Sequence, residues 1–200
     1  MHPGPQFRWE DRDALRDFVT GIGFGALFAA TPDGPRVAHV PAVFVDDATL
    51  GFHIARGNGI ARHLDGADAL YVVQGPDAYI SPDWYGMEDQ VPTWNYLAVE
   101  LEGHVRKMEP DALLAQIDRL SALHEAPLAP KPEWTRDKMT PGLVDRMLGA
   151  ITGYTLEITA WRGTKKLGQN KPEAARERAA DALEAAGKRA MAHLMRNMAG

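Results

Sequence analysis

At 200 residues, with 45% hydrophobic and 24% charged residues, the chain can bury one substantial core and does not read as disordered. The absence of cysteine excludes a disulfide framework and thiolate chemistry, and a net charge of -5 argues against a broad electrostatic footprint on DNA or anionic lipid. Neither a secretory leader pattern nor an apolar run of membrane-spanning length is present, so a soluble, cytoplasmic protein with no membrane partner is expected.

Asp11 to Ile22 predicts a helix: Leu15, Phe18, Val19 and Ile22 recur at helical spacing behind an Asp11 cap, and Gly23 ends it. The period then changes to that of strands, at 25–30, 36–45 and 48–55, separated by Thr31-Pro32-Asp33-Gly34-Pro35 and Asp46-Asp47, the pattern of an antiparallel meander. A short helix near Ile60–Leu64 is followed by two further strands at 69–75 and 78–81. TWNYLAVELEGHVRKM, 93–108, alternates Leu97, Val99, Leu101 and Val105 with Glu100, Glu102 and His104, predicting a long strand with one face buried. Pro110 opens a helix through Leu120, and Thr140-Pro141 opens another carrying Leu143 to Ile151. Residues 154–161 return to strand period, and Gly187 divides two terminal helices, the last with Met191, Leu194, Met195 and Met198 on one side. Six or seven strands with helices gathered at the ends and after Lys107 predict a mainly β fold with added helices, a closed antiparallel barrel rather than a parallel α/β sheet. One domain over 1–170, with a helical insertion at about 109–151 and the helices of 171–200 packed on it, is the economical division.

Three segments carry candidate chemistry. In HIARGNGIARHL, 53–64, a strand ends at Gly57-Asn58-Gly59 between Arg56 and Arg62, which outlines an anion site of turn N–H groups and two cations. A tight turn with two solvated arginines accounts for the same residues. On the long strand, Trp94 and Tyr96 project away from the apolar row, while Thr93 and Asn95 share the buried parity and need hydrogen-bond partners. Trp161 falls likewise on a polar face; an interface between two copies would cover such rings. In WRGTKKLGQNKP, 161–172, Asn170 can cap the following helix, leaving Lys165 and Lys166 as solvated cations or ligands. No metal-ligand spacing or G-x-S-x-G elbow occurs, so zinc and serine-hydrolase chemistry are not expected.

Taken in order, M-x-P-x-x-x-F-R at the start, HIARGNG, YISPDWYG followed by VPTWNYLAVELEGHV, and KKLGQNKP resemble the PaiB-type family of FMN-binding negative transcriptional regulators. The resemblance covers Met1 to about Pro172 and implies a split β-barrel of six or seven antiparallel strands, the FMN-binding split-barrel type shared with pyridoxamine 5'-phosphate oxidase. It also implies a homodimer that holds FMN at the subunit seam. Carried onto this chain, it places Arg56, Asn58 and Arg62 at the phosphate and Thr93, Trp94 and Asn95 beside the flavin across the seam. Trp161 and Lys166 fall in the segment that closes the site, with Gln169, Asn170 and Lys171 at the cofactor or its entrance. Family turns commonly read alanine-asparagine-proline where this chain has Arg56-Gly57-Asn58-Gly59, a departure at the phosphate.

Catalytic residues are not assigned. The expected functions are a flavoprotein with reductase- or oxidase-like activity on a small electron donor or acceptor, an FMN- or redox-sensing negative transcriptional regulator without turnover, and a haem-binding split barrel. DNA is a weakly supported partner: Lys188, Arg189 and Arg196 make only the last helix basic, and no helix-turn-helix is evident.

Overall fold

The structure, a computed structural model, describes residues 2–198. Seven antiparallel strands form one sheet: β1 (Arg8–Trp9), β2 (Phe24–Thr31), β3 (Gly34–Phe44), β4 (Thr49–Ala55), β5 (Asp68–Ile80), β6 (Thr93–Lys107) and β7 (Ile151–Lys166). Their order is β1-β7-β4-β3-β2-β5-β6, and β6 also pairs with β7, so that six strands close into a ring with β1 appended to β7. Five α-helices complete the described fold: α1 (Arg12–Ile22), α2 (Pro110–Glu125), α3 (Leu143–Leu148), α4 (Glu173–Ala185) and α5 (Arg189–Arg196). The expected mainly β split barrel is the observed architecture. By packing, the chain divides into a terminal unit, Met1–Leu15 with Gln74–Glu100 and Arg162–Gly200, and a central unit, Arg16–Val73 with Leu101–Trp161.

The central unit is a meander with a helical cover. β2 and β3 pair from Phe24↔Pro41 to Thr31↔Gly34 across a two-residue loop, where Thr31 Oγ1 donates to the Gly34 carbonyl at 2.6 Å. Alternation sorts the faces: Leu27 and Ala29 of β2 are buried while Phe24 and Phe28 stay exposed. β4 joins β3 at Ala42↔Phe52 and β7 from Thr49↔Glu157 to Ala55↔Ile151, burying Leu50, Phe52, Ile54, Tyr154 and Leu156. The helix α2 lies on β3 and β4. Its close approach depends on Gly153, where an added Cβ would lie 2.9 Å from Leu113 Cδ1.

In the terminal unit, α4 and α5 form a helical hairpin turned at Gly187, whose φ of 79° suits glycine, with the Lys188 N–H donating to the Leu183 carbonyl at 2.8 Å. Ala175, Ala179, Ala180 and Leu183 of α4 face Met191, Ala192 and Met195 of α5, all buried. Arg196 ties the hairpin shut through Asp181 and Glu184, each at 2.6 Å, and Glu177 at 3.5 Å. β1 pairs with β7 at Arg8↔Thr164 and Trp9↔Gly163.

Four expectations are corrected. Segments 69–75 and 78–81 are one strand, because β5 runs on through Gly75-Pro76. The second inserted helix is shorter than expected: α3 stops at Leu148, and Ile151 begins β7, which extends to Lys166 rather than stopping at Trp161. The segment near Ile60–Leu64 holds only a single 3-10 turn, Ala61–His63. Asn170 does not cap α4; Pro172 occupies the N-cap position without a side-chain cap bond.

Candidate functional site

In the central unit, β4 delivers Arg56 to a bare turn. The Asn58 Oδ1 accepts from the Ile60 N–H at 3.2 Å and the Asn58 carbonyl accepts from Ala61 N–H at 3.0 Å, so this side chain shapes the turn. Ile60 and Leu64 are buried beneath it, and the Tyr154 hydroxyl pins it by donating to the Ala61 carbonyl at 2.7 Å. Neither Gly57 nor Gly59 has a positive φ, and a Cβ on either would meet nothing within 4 Å. The backbone therefore does not require glycine there; its consequence is an uncovered surface on which N–H groups can approach a ligand closely.

Arg56 Nε donates to the Ile151 carbonyl at 3.0 Å, which orients the guanidinium, and its terminal nitrogens pair with no group among the described residues. Arg56 opens onto a cleft of about 630 Å³ that Lys107, Asp65, Glu109 and Asp145 also line. Arg62 is held elsewhere, by His63 Nε2 at 2.9 Å and Asp33 at 3.8 Å, and shares no contact with Arg56 among the described residues. Trp161 is half-buried and stacked on Phe44, with centroids 5.6 Å apart and planes 8° from parallel, while Arg16 covers the Phe44 ring at 4.3 Å.

The terminal unit brings Thr93, Asn95 and Lys166 into play. Lys166 Nζ donates to Thr93 Oγ1 at 2.5 Å and lies 5.7 Å over the Phe7 ring. Burial holds its ammonium below the ordinary lysine value, and no carboxylate among the described residues compensates it. Asn95 is wholly buried: its Nδ2 donates to Met195 Sδ at 3.3 Å, and its Oδ1 has no partner. A partly desolvated cation without a counter-ion among the described residues and an orphaned carbonyl oxygen each cost free energy. Trp94 is 55% exposed, its ring edge-on to Tyr79 at 6.2 Å.

The other polar residues of this segment spend their groups inside the protein. Gln169 closes the turn after β7, its Oε1 accepting from the Leu167 N–H at 2.7 Å and its Nε2 donating to the Lys165 carbonyl. Lys171 Nζ donates to Gln90 Oε1 at 2.5 Å and lies 5.2 Å over the Tyr85 ring. Asn170 is exposed. Phe7, beneath Lys166, lies outside the expected residues; it ends the single 3-10 turn Pro5–Phe7, too short to carry a readable period, although the M-x-P-x-x-x-F-R run contains it.

The family model described as "Putative FMN-binding domain" matches residues 1–160. The chain belongs to this FMN-binding family. It is 30% identical over 177 residues to the protease synthase and sporulation protein PAI 2 of Bacillus subtilis (strain 168), covering 86% of this chain and 84% of that one. Among solved structures it is similar to the flavocytochrome Anf3 from Azotobacter vinelandii, with TM-score 0.61 and 10% identity over 83% of this chain and 72% of that one. It is also similar to the FAD and heme binding protein from Mycobacterium smegmatis, with TM-score 0.59 and 20% identity over 80% of this chain and 74% of that one. The PaiB-type resemblance and the split barrel thus stand, with FMN as the cofactor of the family. The residues present fit it: Arg56 and the bare glycine turn suit a phosphate, and Lys166 with Thr93 suits the carbonyls of a flavin ring.

Proposed function

We propose that two copies of this chain hold FMN at their seam, in the manner of PaiB-type regulators. The phosphate lies on the Gly57–Gly59 turn under Arg56 of one copy. Thr93, Trp94 and Lys166 of the other copy meet the ring, with Asn95 buried behind them against Met195. The observation that carries this reading is Lys166, a partly buried cation that donates to a neutral hydroxyl and has no carboxylate partner among the described residues. Close to an electron-rich carbonyl edge such a cation gains a second charge-assisted hydrogen bond beside the one it gives Thr93, worth roughly 1.5–3 kcal/mol. Exposed apolar side chains in each unit, Phe24, Phe28 and Val37 in one and Tyr79, Val91 and Trp94 in the other, supply the surface a second copy would cover.

When bound, FMN supplies electron-transfer chemistry; this chain's residues bind its ends and shape the access of a small donor or acceptor. Asn58, Gln169 and Lys171 act by fixing the walls, as their hydrogen bonds are internal. Arg62, Trp161 and Asn170 stand further from direct contact in this reading. DNA binding through α5 is disfavoured because Arg196 is neutralised by three carboxylates. Sensing by cofactor state is favoured over direct contact with DNA. The deciding experiment is the absorption spectrum of the purified protein with its mass by light scattering. Flavin absorbance that bleaches with dithionite, on a dimer, is expected. A Soret band, or a colourless monomer that FMN does not alter, overturns the reading.

A further inference from the structure

Consecutive side chains of a strand point to opposite faces, and β7 ends in two lysines. Each meets an aromatic ring of the N-terminal segment: Lys165 Nζ lies 5.8 Å over Trp9, and Lys166 Nζ lies 5.7 Å over Phe7. That segment is fastened at several points. Arg8↔Thr164 and Trp9↔Gly163 pair it to β7, and a Cβ on Gly163 would lie 2.5 Å from the Trp9 carbonyl oxygen, so glycine there lets the two strands close up. The Phe7 N–H closes the Pro5–Phe7 turn by donating to the Gly4 carbonyl at 3.0 Å. His2 Nδ1 accepts from the Gly4 N–H at 3.0 Å, and the His2 ring stands edge-on to Phe7 with centroids 4.6 Å apart. Phe7 itself is buried, 4% exposed.

Lys166 Nζ also donates to Thr93 Oγ1 at 2.5 Å, so the ammonium is held between a hydroxyl and the face of a buried ring. A ring face is the negative part of its quadrupole and attracts a cation, more strongly where water is partly excluded. Without such a hold, a lysine is a flexible four-carbon stem that gives up its rotamers on binding, a loss that weakens affinity about twofold to tenfold. We propose that Phe7 is a positioning residue of the flavin site, its ring face holding the Lys166 ammonium beside Thr93 before the cofactor arrives. Phe7 acts only through Lys166, and its role rests on the flavin reading above. The two backbone pairs of β1 then have a task, which is to deliver this ring beneath the ammonium.

The test is fluorescence titration of FMN against Phe7→Leu, made in the parent chain and again beside Lys166→Met, with thermal melts of each. Phe7→Leu weakens FMN about fivefold in the parent chain and by less than about twofold once Lys166 is methionine. A ring that only filled space would matter equally in both backgrounds. Should Phe7→Leu not fold, replacing Phe7 by trifluorophenylalanine keeps the shape of the ring and withdraws electron density from its face; FMN then weakens about threefold, and only where Lys166 is present. Unchanged affinity in these variants, or an equal loss with and without Lys166, overturns the positioning role while FMN binding itself stands. A parent chain that binds no FMN, or Lys166→Met with full affinity, overturns the flavin reading and the role of Phe7 together.

Discussion

The turn at 55–64 and the strand end at 161–171 carry similar polar residues and use them in opposite ways. In the first, Asn58 is spent on the turn while Arg56 keeps its terminal nitrogens free over an uncovered glycine backbone. In the second, Gln169 and Lys171 are spent on internal bonds, and the partly buried Lys166 has no carboxylate partner among the described residues. A motif rich in ligand-type residues thus divides into builders, whose polar groups are used up within the chain, and binders, which keep cationic donors over after an internal bond. Residue type alone does not make that division; the bookkeeping of partners does.

Breaking the binders gives the largest expected effect. Arg56→Ala and Lys166→Met should each weaken FMN by about tenfold to a hundredfold, the worth of a charge-assisted hydrogen bond, with the melting temperature of the free protein held or raised. Fluorescence titration of FMN beside thermal melts checks this; a variant that loses stability but keeps affinity moves its residue to the builders. Gln169→Ala should do the converse. Loss of two internal hydrogen bonds lowers stability by about 1–2 kcal/mol in denaturant unfolding, and FMN affinity falls less than in Arg56→Ala.

Gly57→Ala with Gly59→Ala sharpens the comparison, because the backbone does not need glycine at either place. Stability should change by less than about 0.5 kcal/mol, while the added methyl groups crowd the turn and weaken FMN measurably. The smallest effect is the pH dependence of Lys166. Its folded-state value lies below the unfolded value near 10.5, so the unfolded chain binds more protons between the two and stability rises as pH climbs through that window. Lys166→Met should flatten this rise in urea titrations of the FMN-free protein. An unchanged slope would return Lys166 to the solvated lysines.

Alternation made most of the barrel readable: β2, β3, β4 and β6 lie within a few residues of the expected strands because each buries one face. What failed has local causes. Gly75-Pro76 reads as a break, yet β5 passes through it, since a strand tolerates proline where its missing N–H is not needed. Ile151 continues the apolar spacing of α3 but serves β7, the tertiary pairing Ala55↔Ile151 overriding the helical period. β1 owes its existence to two backbone pairs with β7 and has no pattern of its own. For the proposed site, residue type and motif single out Arg56, Thr93, Asn95 and Lys166 as candidates. The capture of Gln169 by Leu167 and of Lys171 by Gln90 was not legible, as a side-chain amide or ammonium carries no mark of whether it will bond inward.

The closure of β6 onto β7 limits how copies of this chain can associate. Closure leaves the ring without a bare end strand, and among the described residues ladder groups stay open to another chain on β1 and on Gly34–Pro41 of β3, which meets β4 only at Ala42–Phe44. In the proposed dimer, association proceeds through side-chain surfaces such as Phe24, Phe28 and Trp94. Its strength should follow apolar area and carry a negative heat-capacity change on assembly, loosening in the cold as a hydrophobic contact does.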